Sequence, residues 1–228
     1  MGMSAAQRWM DVAANNLANV STDGFKADGI AFGDALVREM RSNGRNIGSL
    51  GSGPREVAEF TDQKAGQLRR TDNPLDVALT DARSMISVRD GNATKFVRGG
   101  SLEMDAEGAL VTAKGAKVLD SAGSEIRLDR SAKIQIDAEG NVRQNDRAVA
   151  KLGVFEGEFT KEGEGMWTGR GVRPSNAAVT AGALEGSNVE ALEGMVDLIK
   201  IGRQVEMTQR AVQSHDETTQ KLLSILGR

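Results

Sequence analysis

The chain has 228 residues, of which 39% are hydrophobic, 27% are charged and only 4% are aromatic. This length suits one or two domains with mainly aliphatic cores. The absence of cysteine and the single histidine, His215, exclude disulfides, thiolate nucleophiles and multi-histidine metal centres. The net charge of −3 gives no general attraction to nucleic acid. No apolar run reaches the roughly 18 residues that a membrane helix needs.

The N-terminal stretch Met3–Val20 predicts an alanine-rich helix. Its apolar positions alternate in steps of three and four, as in a coiled-coil seam; they are Met3, Ala6, Met10, Ala13, Leu17 and Val20. Gly24 is expected to cap the C-terminal end of the helix in a left-handed conformation. Asn15, Asn16 and Asn19 are poor helix formers. Their amides predict either capping of the helix end or contact with another chain, and the residues alone do not favour one.

The region after this helix changes character twice. Phe32–Met40 is consistent with a short helix, and the Gly- and Ser-rich Ser42–Pro54 predicts a mobile loop or linker. From Asn73 to Val179, short runs bounded by Gly and Asp predict an antiparallel β domain. The strand candidates outside the repeat described next are Val77–Leu79, Met85–Val88, Lys95–Val97, Lys117–Leu119 and Val149–Phe155.

An imperfect internal repeat begins at Leu102 and again at Ile134. In each copy an alternating strand leads into Asp-Ala-Glu-Gly and a second strand follows, which predicts a hairpin with glycine at positive φ. These turns lack the ladder of oxygen ligands that a calcium loop requires. Trp167, among several glycines, is expected to fill part of the core rather than to bind a ligand.

The last stretch, Ser187–Leu226, predicts a long helix that begins with a capping box formed by Ser187 and Glu190. One seven-residue series runs through it: Leu198, Val205, Val212, Thr219 and Leu226. A companion series is apolar only at its ends: Met195, Gly202, Gln209, Asp216 and Leu223. This imperfect seam predicts that the two terminal helices pack together or with the same helices of neighbouring chains.

Catalytic chemistry finds little support in the sequence. His215 follows Ser214 and precedes Asp216 on a helix, so these three side chains point in different directions and form no triad. The glycine-rich stretch Gly48–Pro54 lacks the Lys-Ser/Thr that completes a phosphate loop. We therefore predict no enzyme, no cofactor and no metal site. The arginines around the linker predict a solvated basic loop.

Several segments, in order, resemble the axial proteins of the bacterial flagellum, the family of rod, hook and hook-associated subunits. They are Ala14–Lys26 (A-N-N-L-A-N-V-S-T-D-G-F-K), Asn73–Leu79, Phe96–Leu102, Met104–Thr112 and Gly182–Val189. The likeness covers nearly the whole chain. Arg203–Met207 and Lys221–Ile225 resemble the proximal rod type more than the distal rod type.

The resemblance implies an α+β fold, with terminal helices packed as a coiled-coil-like α domain and a central, mainly antiparallel β domain of short strands. The expected limits are 1–25 and 183–228 for the helices, 26–70 for a linker and 71–182 for the β domain. It also implies a structural subunit of the basal-body rod that assembles through its terminal helices into a helical tube and transmits torque from motor to hook. The expected subunit-interface residues are Met3, Met10, Asn15, Asn16, Leu17, Asn19, Val20, Met195, Leu198, Val205, Val212, Leu223 and Leu226.

The implied partners are further copies of the chain, other rod and hook proteins and the flagellar type III export apparatus, with no nucleic acid and no membrane embedding. The implied location is the rod of the basal body, across the periplasm, reached without a cleaved signal peptide. Family members usually have further residues before the position of Met1, so Met1–Met3 falls inside the expected first helix. The family's aromatic segment after Leu79 is replaced by Thr80–Ile86, so that part of the core is expected to differ.

A secreted cell-wall or surface binding module with helical oligomerisation ends is the alternative function. Such a module would need exposed aromatic side chains for glycan stacking, whereas the sequence has no Tyr and only Trp9 and Trp167 as tryptophans. An enzyme is a third class, and no motif pairs a nucleophile with a base.

Overall fold

The structure, a computed structural model, describes residues 2–31, 58–163 and 165–226. The described chain is mostly β with a helix at each end, in agreement with the expected α+β class. It divides into a helical unit, Met1–Val20, Asp28–Asp62 and Val189–Arg228, and a β unit, Ser21–Ala27 and Gln63–Asn188. The predicted short helix and the glycine-rich loop between residues 32 and 54 lie outside the described residues.

The helical unit contains two helices and two short strands in its described part: α1 (Gly2–Ala18), β1 (Asp28–Ala31), β2 (Ala58–Thr61) and α2 (Ala191–Leu226). Helix α1 packs against α2 and β1. The strands pair antiparallel, with Gly29 opposite Phe60. The Phe60 ring covers the position that a side chain would take on Gly29, because an added Cβ would lie 2.6 Å from Phe60 Cζ.

Helix α1 ends earlier than the sequence predicts. Its last turn closes with bonds from Asn19 N to Asn15 O and from Val20 N to Leu17 O, of 3.1 and 3.3 Å. Gly24 has the predicted left-handed conformation, with a φ of 69°. Its predicted role as a helix cap is wrong, because the helix has already ended at Ala18 and the Gly24 N–H donates to Glu185 O at 2.6 Å.

Helix α2 begins later than predicted, at Ala191. The first helical bond runs from Gly194 N to Glu190 O, at 2.9 Å, so Glu190 is the N-cap residue. The predicted capping box is wrong, since Ser187 precedes the N-cap by three residues. In the intervening chain, Asn188 belongs to the β unit, and its Oδ1 accepts the Ala27 N–H at 2.7 Å.

The β unit contains fourteen strands among its described residues. In chain order they are β3 (Leu68–Arg70), β4 (Asp76–Leu79), β5 (Ser84–Asp90), β6 (Ala93–Val97), β7 (Gly99–Met104), β8 (Leu110–Thr112), β9 (Lys117–Val118), β10 (Ile134–Ile136), β11 (Asn141–Gln144), β12 (Arg147–Lys151), β13 (Val154–Gly163), β14 (Met166–Pro174), β15 (Val179–Ala181) and β16 (Ala183–Glu185). All pairings between them are antiparallel, as predicted.

Nine of these strands form one sheet in the order β13-β14-β6-β5-β9-β8-β7-β4-β15. Strand β13 also pairs with β5, so β13, β14, β6 and β5 close a circuit of four strands. A three-stranded sheet, β10-β11-β12, and the pair β16-β3 complete the unit. The β16-β3 pair joins the end of the β unit to its beginning.

Two hydrophobic clusters stabilise the β unit. The larger one is aliphatic and includes Ile86 and Val88, and the smaller one packs Met85 with Phe96, Phe159 and Trp167. Strand β5 serves both clusters because successive side chains of a strand point to opposite faces. Trp167 is buried, which confirms its predicted place in the core.

The two predicted hairpins are confirmed, with β7 paired to β8 and β10 paired to β11. Gly108 and Gly140 have φ values of 80° and 79°. In the first turn Asp105 Oδ1 accepts the N–H groups of Glu107 and Ala109, at 3.0 and 2.7 Å. Asp137 accepts equivalent bonds in the second turn.

The same five-residue turn occurs twice more, at 112–116 and at 120–124. In each, the first residue is Thr or Asp, and its side chain accepts a backbone N–H from the fifth. The glycine three positions after Thr112 or Asp120 again has positive φ. A glycine three positions after Asp or Thr therefore marks four turns of this kind, and the internal repeat predicted only two of them.

One predicted strand is divided in two. Val149–Phe155 contains the end of β12 and the start of β13, with Gly153 between them. Gly153 N donates to Leu119 O at 2.9 Å. An added Cβ would collide with Ser87 Oγ and Asp120 O, so no side chain fits at this position. The chain therefore changes sheets at the one residue small enough to pass there.

Candidate functional site

The inner face of α2 is defined by a series of half-buried positions around the buried Ile201. These positions alternate in steps of four and three: Gly194, Leu198, Ile201, Val205 and Thr208. A Cβ added to Gly194 would lie 3.8 Å from Leu17 Cδ1 of α1. The predicted series through Leu198 and Val205 thus lies on the face that packs within the chain.

The predicted companion series does not lie on this inner face in the described part of the chain, and its role in contacts with other chains stays a prediction. Met195 and Gln209 are exposed. The inner face instead contains the residue before each member of the series: Gly194, Ile201 and Thr208. Either register gives steps of three and four around Leu198, so spacing alone could not separate them. In the structure the inner face of α2 has the register in which Ile201 is buried.

An apolar stripe, Leu192, Met195, Val196 and Ile199, lies on the opposite face of α2. The four side chains are between 41% and 77% exposed. Their spacing of three, four and seven residues aligns them along two turns of the helix. The first part of α2 is therefore apolar on two faces, and only one of these faces is covered within the chain.

The predicted interface residues of α1 divide into two groups. The seam residues Met10, Leu17 and Val20 are half-buried, and Ala13 between them is buried, whereas Asn15 is exposed. The side chains of four further predicted residues lie outside the described part: Met3, Val212, Leu223 and Leu226.

Two of the asparagines bond to backbone within the chain. Asn16 Nδ2 donates to Asp28 O at 2.7 Å, and Asn16 Oδ1 accepts the Asp28 N–H at 2.9 Å. The amide thus pairs with the first residue of β1 as a neighbouring strand would. Asn19 Nδ2 donates to Asn15 O at 2.9 Å, which satisfies a carbonyl at the helix end.

A buried ion cluster lies in the β unit, where the end of the segment Ala14–Lys26 meets the segment Gly182–Val189. It consists of Lys26, Arg98 and Glu185, each at most 3% exposed. Glu185 Oε1 accepts bonds from Lys26 Nζ at 2.6 Å and from Gly66 N at 2.9 Å. Its Oε2 accepts from Arg98 Nε at 2.7 Å. We call these three residues the Glu185 cluster.

The two cations of the cluster outnumber its single carboxylate, and backbone carbonyls accept further bonds from both of them. Arg98 Nη1 donates to Ser84 O at 2.7 Å and to Asp81 O, and Arg98 Nη2 donates to Leu79 O at 3.0 Å. Lys26 Nζ also donates to Lys64 O at 2.6 Å. These bonds offset the cost of removing the charges from water.

Sequence reasoning missed this cluster, although each member lies in a segment that carries the family resemblance. Lys26 follows Phe25, Arg98 follows Val97 and Glu185 follows Leu184, and all three preceding residues are buried. The available signal was that each of three distant motifs contains a charged residue directly after an apolar residue. Nothing in the linear spacing indicated that the three would meet.

The described part of the chain contains neither a metal-binding group of side chains nor a membrane-spanning helix. Residues 2–31, 58–163 and 165–226 hold no group of three or more His, Cys, Asp or Glu that could bind a metal ion. Among the same residues, no helix has the length and apolar character needed to cross a membrane. The side chain of His215 lies outside the described part.

The described features are a β unit that lies between two helices in the sequence and an apolar stripe exposed on α2, which are typical of a structural subunit. Three family descriptions match the chain: "Flagella basal body rod protein" over residues 1–26, "Flagellar hook protein FlgE/F/G D1 domain" over 83–144 and "Flagellar basal body rod FlgEFG protein C-terminal" over 180–225.

Curated relatives align along almost the full chain. The flagellar basal-body rod protein FlgF of Rhizobium meliloti is 32% identical over 235 residues, which cover 98% of this chain and 93% of the relative. The rod protein FlgG of Buchnera aphidicola (subspecies Acyrthosiphon pisum) is 28% identical, with 97% and 95% covered. FlgG of Bacillus subtilis is 26% identical, with 98% and 96% covered. The chain belongs to the flagellar basal-body rod protein family.

Proposed function

We propose that this chain is a structural rod subunit whose terminal helices assemble with those of other rod and hook proteins into a helical tube that transmits torque. The relatives are named as basal-body rod proteins, which supports the rod role directly. In this role the chain has no catalytic activity and acts by mechanical connection.

The observation that carries this proposal is the apolar stripe of α2. Contiguous exposed apolar surface on a water-soluble protein usually marks an interaction site. The stripe lies on the face opposite Ile201, so one helix can contact its own chain and a neighbour at the same time. Open helical growth requires this kind of heterologous contact, in which a patch meets a different patch on the next copy.

The finer features of the role are also proposals. The two terminal helices pack in a coiled-coil-like manner within the tube, and the subunit reaches the rod through the flagellar type III export apparatus without a cleaved signal peptide. We favour the proximal rod type. The motifs Arg203–Met207 and Lys221–Ile225 support it, as does the 32% identity to a FlgF protein against 28% to a FlgG protein.

The test is to replace Met195 and Ile199 together by Asp in a strain that depends on this chain for motility. Two buried charges at a subunit contact would prevent assembly, so we expect loss of swimming and of the rod distal to this subunit. The purified variant should keep the helical content of the unmodified chain, because both side chains are exposed within it. Basal bodies viewed by electron microscopy give the readout.

The matched control is Gln204→Asp, which places the same charge on an exposed position of the same helix away from the stripe. It should assemble and swim normally. Normal motility of the double variant would contradict the proposal. Leu198 and Val205 are less suitable targets, because they lie on the face that packs within the chain and their replacement would disturb the free subunit as well.

A further inference from the structure

The chain passes between the two units at four points, after Val20, Ala27, Asp62 and Asn188. In the β unit, three segments adjoin these points: 21–27, 63–66 and 183–188. All three bond to Glu185 or to its immediate neighbours. Gly24 N donates to Glu185 O, Gly66 N donates to Glu185 Oε1, and Lys26 Nζ reaches both Glu185 Oε1 and Lys64 O.

We propose that Glu185 is a positioning residue that locks these three connecting segments into one mechanical clamp. Segment 21–27 is then a working part of the β unit and not a free tether that follows the first helix. Force that enters along any connection must break the Glu185 cluster before it can extract a segment from the β unit. The inference rests on the proposed function only in assigning a load to the clamp.

The chemistry of the cluster suits a clamp better than an apolar contact would. Its bonds join charged partners at 2.6 to 2.7 Å, and hydrogen bonds between ions are shorter and stronger than neutral ones. Because the three side chains are buried, water cannot replace a broken bond unless the segment leaves altogether. Such contacts either hold fully or open cooperatively.

Further bonds hold the same segments and extend the clamp on both sides of Glu185. Asn188 N donates to Phe25 O, at 3.3 Å, while Asn188 Oδ1 accepts the Ala27 N–H. Lys161 Nζ lies 3.9 Å from the centre of the buried Phe25 ring and donates to Lys26 O at 3.0 Å. Strand β13 therefore supports segment 21–27 by a cation–π contact and a hydrogen bond.

Gly66 passes so close to the backbone of Gly186 that no side chain fits at position 66. A Cβ on Gly66 would collide with Gly186 O, and Gly186 N donates to Gln67 O at 2.8 Å. The segments 63–66 and 183–188 are thus in direct backbone contact beside Glu185. This contact explains the glycine at position 66, whereas a Cβ at Gly186 would lie 3.4 Å from Gln67 O, an ordinary contact distance.

The first test uses the unmodified full chain and measures native-state amide hydrogen exchange in increasing urea. The informative amides are Gly24, Ala27, Gly66 and Asn188. If they form one clamp, we expect a common opening free energy and a common urea dependence for all four, below those of core amides such as Leu110. Opening of segment 21–27 independently of segments 63–66 and 183–188 would overturn the proposal.

The second test compares the full-length variants Lys26→Met and Glu156→Gln by the same method. Lys26→Met keeps the apolar stem and removes two charged hydrogen bonds, so clamp amides should exchange roughly tenfold to a hundredfold faster. The rate at Leu110, which exchanges when the β unit unfolds, should rise by a similar factor, because the lost bonds are broken in both open states. If the Lys26 bonds survived opening of the clamp, Leu110 would accelerate and the clamp amides would not. Glu156→Gln removes an exposed ion pair to Arg173 and should leave the clamp unchanged.

No change at the clamp amides in Lys26→Met, or unequal changes among the four of them, would refute the inference. If that variant does not fold, the urea series on the unmodified chain still decides. The exchange readout requires no assembled rod, so it can fail while the rod role stands. Conversely, a normally motile Met195/Ile199 double variant would refute the stripe contact and leave the clamp intact.

Discussion

At the scale of single residues, the Glu185 cluster is the feature with the largest expected energetic effect. One carboxylate pairs with two cations there, so the loss of the carboxylate affects two ion pairs and the loss of a cation affects one. Loss of the anion removes the carboxylate to which both buried cations bond. Loss of Lys26 leaves a simple pair of Glu185 and Arg98, still supported by the carbonyls around Arg98.

We therefore predict that Glu185→Gln is far more damaging than Lys26→Met. Breaking a buried ion pair at one partner typically costs about 3–5 kcal/mol of unfolding free energy. The loss of two hydrogen bonds in Lys26→Met should cost about 1–3 kcal/mol, because the methionine keeps most of the buried stem. Urea unfolding of both variants measures the difference. Equal destabilisation would mean that Glu185 does not balance both cations.

Titration illustrates the same balance of burial and bonding at the surface turns. Burial alone would raise the pKa of Asp137, but bonds from the Asn141 side chain, the Asn141 and Glu139 backbone and the nearby Arg143 lower it overall. A carboxyl with a lowered pKa stabilises the fold above its unfolded pKa of about 3.9, and this contribution is lost as the pH falls through the folded value. The Asp-Ala-Glu-Gly turn is thus held in its ionised form at neutral pH.

At the scale of elements, α2 contains two glycines that a helix would not need for its own stability. An added Cβ at Gly202 meets nothing within 4 Å, and at Gly194 it only touches Leu17 at ordinary contact distance. Glycine costs a helix about 0.5–1 kcal/mol relative to alanine. Both glycines therefore lower the free energy of unfolding of the free subunit relative to alanine at the same position.

We predict that Gly202→Ala and Gly194→Ala each stabilise the free chain by roughly 0.5–1 kcal/mol, as measured by thermal unfolding. If α2 packs closely against a neighbour at Gly202, that variant should also reduce swimming, because a methyl group would separate the helices. Gly194 lies toward Leu17, so Gly194→Ala serves as the control that should swim normally. Destabilisation of the free chain by either substitution would contradict the described packing.

The elements also mark what could be predicted from the sequence. Both terminal helices, the antiparallel β region and the two Asp-Ala-Glu-Gly hairpins follow from local periodicity and turn chemistry. The helix limits and the heptad register of α2 did not, because Asn188 and Ile201 take their positions from contacts with distant residues. The Glu185 cluster joins residues up to 159 positions apart, and no local pattern encodes such a meeting.

At the scale of the whole molecule, the two units have different physical character. The β unit has two hydrophobic clusters of its own, whereas α2 leaves apolar side chains exposed on one face. A long helix with apolar side chains left uncovered gains much of its stability from partners. A subunit of this kind can remain unpolymerised until neighbouring helices offer the missing surface.

The most direct test of the assembly role is the accessibility of one stripe position in free and assembled subunits. The chain contains no cysteine, so Ile199→Cys introduces a single reactive thiol. The stripe contact predicts rapid maleimide labelling of the purified variant and strong protection in isolated basal bodies. A control, Ala148→Cys on the exposed strand β12, should react at similar rates in the free and assembled subunits. Equal labelling of Ile199→Cys in free subunits and in rods that retain motility would contradict assembly through this face.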